Sequence, residues 1–191
     1  MRKLKLQMQL SVDGFAAQPN GELDWMTWDW DDEIKNYVSE LTDSIDTILL
    51  GRKMTDGFIS YWTSVLTKPD NPEYSFAKKM VDIPKVVFTK TLEKSNWQNT
   101  NLAKGDLTDE VNRLKKQNGK GIIVYGGASF VSSLIKNNLV DEYHLFINPT
   151  SLGKGLTIFG ELKDKLKLAL VKSKVFDCGI VLNHYETKRE E

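Results

Sequence analysis

A pair of glycines after an apolar run is the feature of this sequence best suited to binding a phosphate. Residues 121–125 (GIIVY) predict a buried strand, and after Gly126 and Gly127 the apolar spacing of residues 128–135 predicts a helix. Glycines at such a turn let the backbone approach a ligand, and the first turn of the helix offers free N–H groups and a partial positive charge. A tight turn that needs a positive φ explains the same residues equally well. The GxGxxG and Walker patterns are both missing.

Two other predicted strands also end in groups that suit an anion. Residues 51–53 (GRK) follow the apolar run of residues 46–50 and open a predicted helix. Two cations there oppose the helix dipole unless an anion is bound, and solvated surface charge is the alternative interpretation. Residues 89–91 (TKT) end the predicted strand of residues 84–89, where hydroxyls and a cation could bind a 2′-phosphate. Three such strand ends in one sheet indicate a phosphate-containing ligand more strongly than any one of them.

Acidic side chains near these loops are the candidates for proton transfer. Asp13 follows the first predicted strand, residues 4–12, where it could orient a substrate or cap its own loop. Asp31, Asp32 and Glu33 stand at the beginning of the first predicted helix. A carboxyl group or water would have to supply any proton that a reaction here requires.

The remaining candidates each have an ordinary structural role open to them beside a functional one. Trp25, Trp28 and Trp30 could stack on a planar heterocycle, or pack in the core or in a dimer interface. His144 and His184 lie in different predicted strands with no metal-ligand partner at a useful spacing. We therefore expect both histidines to be structural, and we predict no metal site.

Composition excludes several classes of protein. The chain has 191 residues with 26 basic and 26 acidic side chains, which argues against a general nucleic-acid binder. Cys178 is the single cysteine, so a disulfide framework is impossible. The chain has no apolar window long enough to span a membrane and no signal-peptide pattern. We expect a cytoplasmic protein with one domain, residues 1–191.

The order of the predicted elements indicates the fold class. Strands alternate with helices up to about residue 150, which favours parallel strands with right-handed crossovers. Residues 166–176 and 179–187 then predict a closing antiparallel hairpin. The expected fold is a three-layer α/β/α sandwich around a mixed, mostly parallel sheet. In such a sheet, ligands bind at the carboxyl ends of the strands.

Taken in order, these motifs resemble the dihydrofolate reductase superfamily. The motifs are ILL with GRKM, VVFT with KT, and IIVY with GGASF. LSVDGFAA and NPTSLGKGLTIFG are similar to one branch, which holds the C-terminal reductase domain of the bifunctional riboflavin-biosynthesis deaminase/reductase and its stand-alone bacterial relatives. The resemblance covers roughly residues 4–185.

The resemblance implies an enzyme that uses NADPH. The positions matching the family's cofactor-binding residues are Ala16 near the nicotinamide; Arg52, Lys53 and Met54 at the phosphates; Thr89 and Lys90 at the adenosine 2′-phosphate; and Gly126, Gly127, Ala128, Ser129 and Phe130 at the pyrophosphate. The match at Gly51 implies that a helix approaches closely there.

The sequence also departs from the dihydrofolate reductases. Their first helix carries an acidic residue that grips the pteridine, and Asp31, Asp32 and Glu33 are the candidates for it here. Of these we select Asp32, with Asp13 as a second candidate catalytic residue. Their Trp-Pro element is replaced by residues 23–25 (LDW), and the chain has no deaminase half with its zinc spacing. Hydride chemistry is therefore expected to persist while folate recognition is in doubt.

The resulting expectation is an NADPH-dependent reductase of a small planar heterocycle. The substrate class is a riboflavin precursor similar to 5-amino-6-(5-phosphoribosylamino)uracil, or a pterin or folate. A nucleotide-binding module without turnover is the alternative. Related reductase domains pair, and Phe58, Tyr61 and Trp62 crowd one predicted helix, so we also expect a homodimer.

Overall fold

The computed structural model describes residues 1–188. These residues form ten strands and five helices. In chain order the elements are β1 Leu4–Ser11, β2 Phe15–Ala17, α1 Asp32–Asp43, β3 Ile45–Gly51, α2 Arg52–Val65, α3 Tyr74–Asp82, β4 Lys85–Phe88, β5 Thr100–Ala103, α4 Leu107–Lys116, β6 Gly121–Val124, α5 Ala128–Lys136, β7 Glu142–Asn148, β8 Leu156–Thr157, β9 Leu168–Val175 and β10 Val181–Thr187.

Eight of the strands in the described residues form one mixed sheet. Their order is β5-β4-β3-β6-β1-β7-β10-β9. The first six are parallel, and β10 and β9 close the sheet as an antiparallel hairpin. The expected mixed, mostly parallel sheet with a C-terminal hairpin is therefore confirmed. Strands β2 and β8 form a small separate pair that covers the loop after β1.

Helices pack on both faces of this sheet, as the apolar periodicity of the sequence predicts. One face buries the apolar stripes of α4 and α5 against the even-numbered residues of β1, such as Leu4 and Leu6. The other face buries α1 and α3 against residues such as Ile48 and Leu50 of β3. Leu4, Leu6, Ile48 and Leu50 are fully buried, because strands in the middle of a parallel sheet are covered on both sides.

Sequence reasoning missed a helix, a strand and a short strand pair. Helix α3 follows directly on a loop with two prolines, and that turn signal masked its apolar stripe around Ala77 and Met80. Strand β5 has the sequence TNLA, in which a polar half hides the strand pattern. The pair β2–β8 is too short to give a periodic signal.

The aromatic residues of α2 pack mostly within the chain. Phe58 stacks on Tyr125 at 5.8 Å between ring centroids, and Trp62 meets Phe76 edge-on at 5.3 Å. Tyr61 is half exposed and donates a hydrogen bond from its hydroxyl to a carboxylate on the same chain. Phe58 and Trp62 thus give no support for a dimer interface, and the homodimer stays a prediction. Among the described residues, no helix has the length and apolarity needed to cross a bilayer.

Candidate functional site

The strand ends singled out in the sequence lie along one edge of the sheet. Strands β4, β3, β6, β1 and β7 are consecutive neighbours, and all five run parallel. Phe88 is registered with Gly51, and Ser11 with Asn148. The loops after these strands therefore line up in the order of the sheet. This edge is where an open α/β sheet binds its ligands.

The Gly-Gly turn adopts the backbone that only glycine accepts easily. Gly126 has φ 157° and Gly127 has φ 79°. Gly127 is the N-cap of α5, and no side chain of the described residues caps this helix. A Cβ built on Gly127 would lie 3.7 Å from the Cβ of Phe130, and one on Gly126 would lie 3.5 Å from the sulfur of Met54. These are ordinary contacts, so the turn requires glycine for its dihedral angles.

A second uncapped helix begins beside the first. Gly51 is the N-cap of α2, and neither α2 nor α5 has an acidic residue in its first turn. Helices α1 and α4, by contrast, each have an aspartate cap and two acidic residues there. A Cβ on Gly51 would lie 2.8 Å from the Cβ of Phe130, so the close approach expected at Gly51 is present. Two positive helix ends therefore lie close together, and neither has a carboxylate in its first turn.

The expected cations lie around these helix ends, and two of them already have partners. Arg52 pairs with Asp56 at 2.8 Å and lies over the ring of Trp97. The Lys90 ammonium donates to the carbonyls of residues 104 and 105 at 2.9 and 2.8 Å. Lys53 is exposed at the beginning of α2. Both carbonyl acceptors of Lys90 are neutral, so its full charge remains available to a phosphate.

Thr89 stabilises its own turn. Its side chain is buried, and its hydroxyl oxygen accepts from the N–H groups of Thr91 and Leu92 at 3.2 and 3.1 Å. The hydroxyl fixes the backbone that presents Lys90. Thr89 therefore shapes the predicted 2′-phosphate site through the turn.

Asp13 holds two loops together. Its carboxylate accepts from the Ser11 hydroxyl at 2.6 Å, the Ser151 hydroxyl at 2.7 Å, and the N–H groups of Leu152 and Gly153. The bond from Ser11, followed by those from Ser151 and the backbone, holds the pKa of Asp13 well below its usual range. The carboxyl group is therefore ionised at neutral pH and has no proton to give. This geometry argues against Asp13 as the proton donor and makes it a residue that positions the loop.

Ala16 lies in strand β2, which begins two residues after Asp13. It is 1% exposed, in the middle of β2, which pairs with β8. Its side chain packs in the main hydrophobic core, so the position of Ala16 near the nicotinamide stays a prediction.

The acidic residues at the beginning of α1 are Asp31, Asp32 and Glu33. Asp31 caps α1 by accepting from the N–H of Ile34, and its other oxygen accepts from the N–H of Asp177. Asp32 is exposed in the first turn of α1, and Glu33 pairs with Lys174 at 3.0 Å. Asp31 therefore fixes α1 to the C-terminal hairpin. Asp32 as a catalytic residue stays a prediction.

Sequence reasoning missed a buried amide at the end of β7. Asn148 is fully buried, donates to the side-chain oxygen of Gln9 at 3.0 Å, and accepts from the N–H of Thr27 at 2.8 Å. It therefore fixes the tryptophan-rich segment to the sheet edge. Trp28 is 63% exposed and stacks on Trp30 at 5.8 Å. The sequence signal that could have revealed Asn148 and Gln9 was their polarity in otherwise apolar strands.

The two histidines also differ from expectation. His144 and His184 are directly paired across β7 and β10, and together with Glu142 they form a cluster of ligand atoms within 4.8 Å of one another. The expectation that neither has a ligand partner was wrong, because strand pairing joins residues that are far apart along the chain.

The edge as a whole fits a dinucleotide. Two uncapped helix ends, a glycine turn and three nearby cations provide what a pyrophosphate and a further phosphate require. Gly51, Arg52, Lys53, Met54, Gly126, Gly127, Ala128, Ser129 and Phe130 are brought together around α2 and α5. Thr89 and Lys90 follow on the neighbouring strand β4.

Comparisons with known proteins bear on the family and the fold of the chain. The sequence profile described as the RibD C-terminal domain matches residues 2–182. The uncharacterized protein YyaP of Bacillus subtilis is 35% identical over 182 residues, which cover 94% of this chain and 92% of that protein.

Two solved structures are similar in fold. A deaminase/5-amino-6-(5-phosphoribosylamino)uracil reductase of Thermotoga maritima matches with a TM-score of 0.69 and 18% identity, over 98% of this chain and 57% of that one. The dihydrofolate reductase of Enterococcus faecalis, complexed with NADP(H), matches with a TM-score of 0.60 and 14% identity, over 98% and 97% of the two chains.

Proposed function

The chain belongs to the RibD C-terminal domain family, and from this premise we propose that it is an NADPH-dependent reductase of a small planar heterocycle. The substrate class is that of 5-amino-6-(5-phosphoribosylamino)uracil, or that of pterins and folates. The observation that carries the proposal is the meeting of two uncapped helix ends, α2 and α5, across Gly51 and Phe130. An anion with several charged groups is the ligand that such a pair of helix ends favours.

Different residues of the sheet edge bind different parts of the cofactor. The N–H groups of Ala128, Ser129 and Phe130 bind the pyrophosphate, because α5 has no side-chain cap. Lys90 binds the 2′-phosphate, with its turn held by Thr89. When bound, NADPH supplies the hydride; the protein supplies alignment and electrostatics.

The substrate side of the site lies toward β1 and β7. Asn148 and Gln9 hold the segment that carries Trp28 and Trp30, and the exposed ring of Trp28 offers a face for a planar heterocycle. The ionised Asp13 holds the facing loop of residues 151–153. Since Asp13 has no proton to donate, the remaining proton sources are water and the exposed carboxyl group of Asp32.

Calorimetry and a turnover assay together test this function. NADPH should bind more tightly than NADH, and it should be oxidised in the presence of 5-amino-6-(5-phosphoribosylamino)uracil or dihydrofolate. Tight NADPH binding without oxidation by any heterocycle of either class would identify a nucleotide-binding module instead. An absence of NADPH binding to the folded protein would refute the cofactor and, with it, the reductase.

A further inference from the structure

A cluster of metal-ligand side chains lies beneath α1, on the sheet face that helix covers. The Nε2 atom of His144 is 3.5 Å from Oε2 of Glu142, and Nε2 of His184 is 4.0 Å from the same oxygen. His144 is 3% exposed and Glu142 is 6% exposed. Two imidazoles and one carboxylate form a ligand set typical of zinc.

Several buried polar atoms in and beside this cluster make no hydrogen bond among the described residues. Gln7, His144 and His184 are registered in one row across β1, β7 and β10. Each has a buried polar atom without a hydrogen bond in the described part of the chain: Oε1 of Gln7 and Nε2 of each histidine. Buried polar groups are almost always satisfied, so a row of three such atoms indicates an occupant.

We propose that Glu142, His144 and His184 bind one divalent transition-metal ion of the zinc class. The hydroxyl of Tyr37 on α1 contacts Nδ1 of His144 at 2.7 Å. A hydrogen bond from Nδ1–H to that hydroxyl leaves the lone pair of Nε2 free for the ion.

Two features of the cluster define what binding requires. The imidazole rings of His144 and His184 are stacked, with 4.1 Å between their centroids. A metal ion lies in the plane of each imidazole that binds it, so two stacked rings cannot both bind one ion until one of them turns. His184 is the ring that can turn, since its side chain is 16% exposed and none of the described residues accepts or donates a hydrogen bond at its Nε2. Two ammonium groups compete with the ion for Glu142: Lys3 is 2.8 Å from Oε1, and Lys5 is 3.4 Å from Oε2. Lys5 also donates a hydrogen bond to the Ser44 hydroxyl at 3.0 Å, and that bond can persist when the ion binds.

The position of the cluster assigns the ion a structural role. His144 lies four residues before the end of β7, so it is about 13 Å below the edge that carries the candidate reductase site. An ion there links β7 to β10, and Tyr37 extends the link to α1. Its effect is expected on stability, which separates this inference from the proposed function.

A cobalt titration tests the site directly, because the chain contains two histidines in all. Full-length protein without a polyhistidine tag is titrated with Co²⁺, and the visible absorption bands of the bound ion are recorded; Zn²⁺ is then added as competitor. We expect one equivalent of Co²⁺ that Zn²⁺ displaces, and a higher melting temperature with Zn²⁺. His184→Gln should weaken binding at least tenfold, on the scale of losing a ligand or its support.

Matched variants distinguish an ion at this cluster from an ion bound elsewhere on the chain. Cys178→Ser should leave the spectrum unchanged, since the single thiol is not part of the cluster. Lys5→Met should tighten binding on the order of tenfold, because it removes one of the two competing charges, the one beside the oxygen that faces the histidines. Wild-type protein that binds no Co²⁺ would overturn the proposal. So would a His184→Gln variant, folded by circular dichroism, that binds one equivalent with wild-type affinity.

Discussion

The close contact between Gly51 and Phe130 predicts that Gly51→Ala disturbs the packing of α2 on α5. At Gly51 the backbone has φ −75° and ψ 145°, which any residue adopts, so Gly51→Ala carries no dihedral cost. The new Cβ would stand 2.8 Å from the Cβ of Phe130, where ordinary contacts begin at about 3.4 Å. The atom it meets is fixed to the backbone of α5, so no side-chain rotation relieves the clash.

The size of the effect follows from that distance. Helices α2 and α5 must separate by about 0.6 Å, the difference between 3.4 and 2.8 Å. Overpacking of this kind costs about 1–3 kcal/mol, and the lower chain entropy of alanine returns about 0.4–1 kcal/mol. The net expectation is a loss of up to about 2.6 kcal/mol in the free energy of unfolding. Because both helix ends are proposed to bind phosphates, NADPH affinity should also fall about tenfold.

Urea unfolding measures the first effect and calorimetry with NADPH the second. Gly57→Ala is the matched control, since it makes the same change in the same helix with nothing within 4 Å of the new Cβ. This control should be stabilised by about 0.5–1 kcal/mol, the helix propensity difference, with unchanged NADPH affinity. If Gly51→Ala behaves like Gly57→Ala in both measurements, the reasoning about the two helix ends is wrong.

Three further changes test other parts of the edge. Gly127→Val imposes a β-branched residue on φ 79° and should abolish NADPH binding in a chain that circular dichroism shows to be folded; wild-type affinity would contradict the glycine turn. Lys90→Ala should weaken NADPH binding by about 1–3 kcal/mol and leave NADH binding unchanged in calorimetry, whereas equal losses for both would contradict a 2′-phosphate contact. Asp13→Asn should destabilise the protein more at about pH 6 than at about pH 3 in urea unfolding. The depressed pKa of Asp13 contributes stability that is present above about pH 4 and is lost progressively as the pH falls below it. A loss of stability that does not depend on pH would argue against an ionised Asp13 that holds the two loops together.

Much of the fold was predictable because its central strands have strong local signals. Residues 48–50 of β3 and 122–124 of β6 are uninterrupted apolar runs with a glycine within two residues of their end, which indicates both their burial and their turns. Asp106 stands directly before the apolar stripe of α4, where an N-cap is expected, and it accepts from the N–H groups of Thr108 and Asp109. Helix α3 was missed because its signal begins inside a proline loop, where local turn chemistry dominates the sequence pattern.

The site was predictable only where one segment carries the whole signal. The turn at Gly126 and Gly127 is local, so its conformation could be anticipated. Asn148 was not predicted, because its role depends on Gln9 and Thr27, residues more than 100 positions away. The pairing of His144 with His184 depends on the register of β7 with β10, which no spacing along the chain reveals.

The central place of β1 in the sheet has a consequence for how the protein is made. β1 pairs with β6 and β7, and Leu4 finds its partner Ile122 only 118 residues later. At about 5–20 residues per second, a ribosome needs roughly 6–24 s to supply that partner. Throughout that time the nascent chain displays an unpaired apolar strand. The alternation of Lys3 and Lys5 with its leucines keeps charge along the strand, which is how natural sequences guard such segments against self-association before their partners arrive.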